Sequence, residues 1–263
     1  MSQGLAERVS FRNSLSEPAR RPRWKPARLA AAPSSRRDLI TDGLPPRPYS
    51  YAPPPVGPLP IVHVDDHILV LDKPSGLLTV AGKTQDLADC LEARAQVDFP
   101  TATMVHRLDK DTSGLIVLAL TPYAHGHIGK QFEKRQTRKT YIAEVWGEIT
   151  EPEGRIDAPL ASDWPHRPKQ KVDRLHGRPA ITEWRVLGVC EGVTRVELIP
   201  LTGRTHQLRV HMSHIGYPIL GDNLYAHEAA LAVSNRLCLH SASLTLRHPV
   251  GGEPMCFSSP VPF

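Results

Sequence analysis

Apolar and polar positions fall into short blocks along this chain, and the blocks begin only near Leu59. Ile61 to Val64 and Ile68 to Leu71, separated by Asp65-Asp66, predict two strands of a hairpin. Leu115-Ile116-Val117-Leu118-Ala119-Leu120 is a continuous apolar run bounded by Gly114, which predicts a central buried strand. Thr140 to Val145 predicts the next strand, and Ile181 to Val189 and Val193 to Pro200 a pair around a turn at Glu191-Gly192. Leu237 to Leu246 supplies a last long strand. Helices are predicted over Leu87 to Val97, Ala124 to Arg135 and Gln207 to Ile215, the last closed by Gly216. Strands dominate and hairpin spacings outnumber βαβ spacings, so the predicted class is α+β and not doubly wound.

Before Leu59 the periodicity is lost. Residues 1–58 hold 11 of the 26 prolines and many arginines, a composition that favours extended or disordered chain. The chain therefore divides into a Pro/Arg-rich basic arm, 1–58, and a folded domain, 59–263. The arm is also Arg-rich, Ser-containing and acid-poor, as organellar transit peptides are, so an organellar location stands as the alternative to a cytoplasmic one. Charge follows the same division. The whole chain carries +5, and residues 1–60 carry +6 (ten Lys and Arg against four Asp and Glu), which leaves −1 for residues 61–263. Any basic surface on the folded part must be local. Candidates are the stretch from Lys130 to Lys139 and the stretch from His166 to Lys171, where Trp164 and two prolines lie beside Arg167, Lys169 and Lys171.

Several function classes drop out. No apolar run approaches the length of a membrane span. The four cysteines are widely spaced and form no Cys-x-x-Cys pair, so neither a disulfide framework nor a zinc site is expected. His206, His211 and His214 are the densest histidines, but no acidic residue lies among them, and no metal is predicted. Neither a Gly-x-Gly-x-x-Gly nor a Walker sequence is present, and no cofactor is expected.

The candidate chemistry sits just before the central strand, in His106-Arg107-Leu108-Asp109-Lys110-Asp111-Thr112-Ser113-Gly114. Residue chemistry alone leaves two readings open: a tight turn capped by Asp and Ser, or a reactive carboxylate on a rigid strand. The stretch resembles the active-site signature of the RluA-type pseudouridine synthases. Further stretches agree in the family's order: Asp72-Lys73-Pro74-Ser75-Gly76-Leu77, then Arg138-Lys139-Thr140-Tyr141, then Gly203-Arg204-Thr205-His206-Gln207-Leu208-Arg209-Val210-His211, then Leu239-His240-Ser241-Ala242.

The resemblance implies a large mixed, mainly antiparallel sheet with flanking helices and a central RNA-binding cleft. It implies isomerisation of uridine to pseudouridine, with Asp109 as nucleophile or base, Arg204 as its ion-pair partner and Tyr141 packed on the target base. Asp111 is the rival carboxylate, at a variable position of the pattern. Arg107 is the side chain expected to fill the space left by a flipped base, and His106 is expected in the loop or on RNA. The missing S4 domain and the run from Asp163 to Val172 are most similar to members that act on both large-subunit rRNA and the tRNA anticodon stem-loop. RNA is thus the expected partner, met by a monomer.

Rival readings are weaker. A kinase loop would read His-Arg-Asp with a following Asn and a Gly-rich loop before it, and a glycosidase would need a second carboxylate facing Asp109. The alternative from another class is a non-catalytic RNA-binding or RNA-folding protein on the same fold. Such a protein has no need of Asp109, Tyr141 and Arg204 together.

Overall fold

A computed structural model describes residues 51–263. The arm's residues 1–50 lie outside the described residues. The remainder of the arm is tied down: Tyr51 Oη donates to Asp89 O (2.6 Å), and Arg94 donates to the carbonyls of Pro54 and Pro55. Ordered structure thus already includes Tyr51 to Pro58, ahead of the Leu59 boundary read from the sequence.

Twelve strands and four helices follow among the described residues. The strands are β1 (Ile61–Val64), β2 (Ile68–Lys73), β3 (Thr103–Met104), β4 (Ser113–Ala119), β5 (Arg138–Trp146), β6 (Glu153–Asp157), β7 (Leu160–Ser162), β8 (Gln170–Val172), β9 (Ile181–Cys190), β10 (Val193–Pro200), β11 (Leu239–Arg247) and β12 (Pro254–Ser258). The helices are α1 (Leu91–Asp98), α2 (Pro122–Glu133), α3 (Gln207–His214) and α4 (Glu228–Ala232). Ten strands form one sheet in the order β1-β2-β4-β11-β5-β10-β9-β6, with β12 beside β11 and β3 beside β4; β7 and β8 form a separate hairpin. Only the β4–β11 pairing is parallel. This is the α+β class that the strand spacings predict and the mainly antiparallel sheet that the resemblance implies.

The core lies on both faces of β4, whose seven residues are all buried. Ile116 and Leu118 join the larger apolar cluster with Leu69, Leu71 and Ala143, while Leu115 and Val117 pack with Ile128, Leu244 and Leu246 on the opposite face. A strand buried on both faces needs no alternation, which is why the run is continuously apolar. Gly114 is required where β4 meets β11. Its φ is +108°, and a Cβ there would lie 2.4 Å from Ser241 O.

Element boundaries shift by a few residues from the sequence pattern, and some short elements are added. The first helix starts at Leu91 and not at Leu87, because Cys90 is its N-cap, with Sγ accepting from Ala93 N–H, and Gln85–Leu87 form a separate 3-10 turn. Strands β6 and β12 have no counterpart in the sequence pattern. Both lie outside the ladder's central path or at its end: β6 is mostly charged and pairs with β9, while β12 pairs with β11 and turns Met255 and Phe257 onto the apolar cluster around Leu244 and Leu246.

Candidate active site

The loop from His106 to Thr112 stands at the head of β4 and is clamped by the segment after β2. Lys73 is fully buried, and its ammonium donates to the carbonyls of Pro74 (2.9 Å), Leu77 (2.6 Å) and Lys110 (2.8 Å). Ser75 Oγ donates to Asp111 O (2.7 Å), Gly76 N–H to Lys110 O (3.0 Å) and Thr79 Oγ1 to Leu108 O (2.7 Å). Burial pulls the Lys73 pKa down to about 7, opposed by Asp111 and Asp109. Three carbonyl acceptors use all three protons of an ammonium, so the geometry holds Lys73 charged. Carbonyls on both sides of Asp109 are thus pinned, and its carboxylate is presented to the cleft from a fixed backbone. The Asp72 to Leu77 stretch, to which the sequence gives no role, braces this loop.

The cleft measures about 1220 Å³ and is lined by the loop, by Leu78 to Gly82, by the end of α2, by Tyr141 and by Pro200 to Arg209. Seven Lys and Arg against four Asp and Glu line it, a net of +3. The body outside the arm sums to −1, so positive charge is concentrated where a polyanion would enter. Arg135, Thr137 and Lys139 are part of this wall, so the stretch from Lys130 is more than a solvated helix end.

Asp109 is a quarter exposed, and its ion-pair partner is not the one the sequence suggests. Arg204 is in the loop before α3, where its Nε donates to Pro179 O (3.1 Å). Arg209, inside α3 and 3% exposed, places a guanidinium nitrogen 3.6 Å from Asp109 Oδ2. The same guanidinium grips Asp222 through two bonds of 2.8 and 2.6 Å. Burial works against its charge, but Asp222 and Asp109 outweigh burial and raise its pKa. Burial also works against the Asp222 charge, yet Arg209 and the amides of Leu224 and Tyr225 hold its carboxyl below the usual range. A bidentate guanidinium fixed from behind is a rigid positive charge for Asp109. The sequence signal for Arg209 is its place in a helix between the apolar Leu208 and Val210, which marks it as inward-facing.

The other predicted residues separate into three groups. Tyr141, on β5, is buried at the cleft, and desolvation pushes its phenol up to about 12, so it stays protonated. Arg107 is exposed on the cleft wall beside Asp109. His106 braces the loop: its Nε2 accepts the Val117 amide (3.1 Å) and its ring stacks on Phe132 at 4.4 Å. Burial pushes its pKa down to about 3, so the ring is neutral. Asp111 meets Lys110 (3.3 Å) and Asn223 (3.4 Å).

The third group lies on the β7–β8 hairpin. Arg167 lies 3.3 Å over the exposed ring of Trp164 and reaches the cleft wall, whereas Lys169 and Lys171 lie further along the same hairpin outside the wall. Among the described residues no group of three His, Cys, Asp or Glu is placed to hold a metal ion, and no helix is long and apolar enough to cross a membrane.

Comparison with known proteins shows the family. Residues 67–214 match the family model for RNA pseudouridylate synthase. The chain is 51% identical over 204 residues to the dual-specificity RNA pseudouridine synthase RluA of Yersinia pestis, an alignment covering 77% of this chain and 99% of that protein. It is 48% identical to the protein of that name from Escherichia coli strain K12, covering 81% and 98%. Among solved structures it is similar to human RNA pseudouridylate synthase domain containing 1, with a TM-score of 0.67 and 32% identity over 81% of this chain and 87% of that one. Human RNA pseudouridylate synthase domain containing 4 gives a TM-score of 0.62 and 27% identity over 77% and 88%.

Proposed function

The chain belongs to the RNA pseudouridylate synthase family, and we propose how its own residues turn a uridine and which RNAs it serves. It is an RNA uridine isomerase. The reaction breaks the N1–C1′ bond, turns the base and rejoins it through C5. A carboxylate beside C1′ must be ionised to act as nucleophile or to take a proton from the sugar. Asp109 fills this role, and the observation that carries it is the pinned loop that sets its carboxylate against Arg209 in a positive cleft. Arg209, in place of Arg204, holds the negative charge.

Tyr141 offers an aromatic face to the base. Stacking tolerates rotation of a ring better than directional hydrogen bonds do, which suits a base that must turn in place. The uridine must first leave its stack, at a cost on the order of a few kcal/mol. Arg107, exposed beside Asp109, fills the vacated space. The Trp164–Arg167 stack with Lys169 and Lys171 meets the backbone of the same RNA from the hairpin. The non-catalytic alternative leaves the clamped Asp109–Arg209 pair without a purpose.

The targets are a uridine in large-subunit rRNA and one in a tRNA anticodon stem-loop, met by a monomer in the cytoplasm. The dual specificity in the relatives' names supports two RNA classes. Tritium release from C5-labelled transcripts of both classes tests this reading. Release from both is expected; release from only one would remove the dual target.

A further inference from the structure

His206 occupies the residue just before α3 with left-handed backbone angles (φ 54°, ψ 18°), a conformation uncommon for a residue with a side chain. The turn swings its ring between two partners. Nδ1 lies 2.7 Å from Tyr225 Oη, and Nε2 lies 4.0 Å from Asp109 Oδ1. Tyr225 Oη also accepts the backbone N–H of Gln170 (2.8 Å), and Gln170 begins β8 of the hairpin that carries Arg167, Lys169 and Lys171.

Donor and acceptor roles along this path are constrained. An amide N–H only donates, so Tyr225 Oη is an acceptor toward Gln170, which leaves its own proton able to point at His206 Nδ1. A ring that accepts at Nδ1 carries its proton on Nε2. Burial pushes the His206 pKa down although Asp109 opposes it, and burial pushes the Tyr225 phenol up, so both groups are in the neutral forms this path needs. Arg209, Asp222 and Asp111 are the other charged groups that act on the ring.

We propose that Tyr225 and His206 are a positioning pair for the isomerisation: the Tyr225 hydroxyl fixes His206 as its Nε2–H tautomer, which takes one oxygen of Asp109 while Arg209 takes the other. At 4.0 Å the His206–Asp109 contact is not yet a hydrogen bond. A closure of about 1 Å on substrate binding makes it one, the tightening expected between a free site and its complex. The path Gln170–Tyr225–His206–Asp109 gives RNA engagement of the hairpin a direct route to the carboxylate. This inference rests on Asp109 being the acting carboxylate.

The test combines kinetics with a tautomer measurement on the full chain. In single-turnover tritium release, Tyr225→Phe should be about tenfold slower, the loss expected when about 1.4 kcal/mol of transition-state positioning is removed, with RNA affinity unchanged within about twofold. His206→Leu should be slower, and the double variant no slower than His206→Leu alone, because the hydroxyl acts on the chemical step through the ring. Nitrogen-15 spectra of histidine-labelled protein should show the Nε2–H form for His206 and a mixture in Tyr225→Phe. Wild-type rate in Tyr225→Phe, multiplied penalties in the double variant, or an unchanged tautomer would each overturn the pair. A wild-type protein that releases no tritium overturns the functional reading itself, and the pair's role with it.

Discussion

At the scale of single residues, two arginines in one motif have different fates. Arg209 is buried with both Asp222 oxygens on its guanidinium, whereas Arg204 donates to the Pro179 carbonyl at the cleft edge. Arg209→Met would strand a buried carboxylate, at a cost of about 3–5 kcal/mol, and also remove the charge facing Asp109. Arg204→Ala should cost less than about 1 kcal/mol and leave most of the rate. Thermal melts and tritium release on both variants check this, and equal losses would contradict the assignment. Asp109 was legible only as what the family motif implies, since residue chemistry alone left a capped turn equally open. Its partner was not, since which arginine faces inward depends on where α3 starts and on the left-handed turn at His206. The same limit hid Lys73, whose carbonyl partners at Pro74, Leu77 and Lys110 only the folded loop brings together.

Secondary-structure elements explain why the site is rigid and how RNA reaches it. Gly114 lets β4 and β11 approach, and Gly114→Ala forces a Cβ into the Ser241 backbone at a positive φ. Both penalties fall on the parallel pairing that carries the loop, so this variant should lose folded protein in soluble yield and in melting cooperativity. A normally folded, active Gly114→Ala would show that the pairing relaxes. On the β7–β8 hairpin, Arg167→Ala and Lys171→Ala should weaken RNA binding while leaving the single-turnover rate at saturation nearly intact. Removing one cation from a phosphate should reduce the salt slope of binding by about 1. An unchanged slope would take that residue off the RNA. The central strands and the β9–β10 turn, where Glu191 and Gly192 both have positive φ, were readable from apolar runs and a Gly. Strands β6 and β12 were not, because Glu153 to Asp157 offers a single large apolar residue and Pro254 to Ser258 is a five-residue segment opened by a proline.

For the whole molecule, charge and titration set the working range. The net charge of −1 over residues 61–263 hides a cleft of +3, so binding depends on where the charge is and not on its sum. Burial holds the pKa of His106, His206, His211, His227 and His240 below the ordinary histidine value. In the unfolded chain these groups take up protons near pH 6.5, while in the folded chain they resist. The unfolded state therefore binds more protons below that pH, so stability is fully present above about pH 6.5 and is lost as pH falls toward the folded values. Urea or thermal unfolding between pH 7.5 and 4.5 should show this loss with uptake of more than about one proton per molecule. A flat profile would mean that the buried rings are already solvated in the native state.

The most direct measurement is tritium release from C5-labelled uridine RNA by wild-type protein and by Asp109→Asn, in single turnover with RNA binding followed in parallel. Asparagine keeps the shape of the side chain and removes its charge. Release by the wild type and none by Asp109→Asn at matched RNA occupancy is the expected result. Release by the variant at the wild-type rate would contradict a catalytic Asp109.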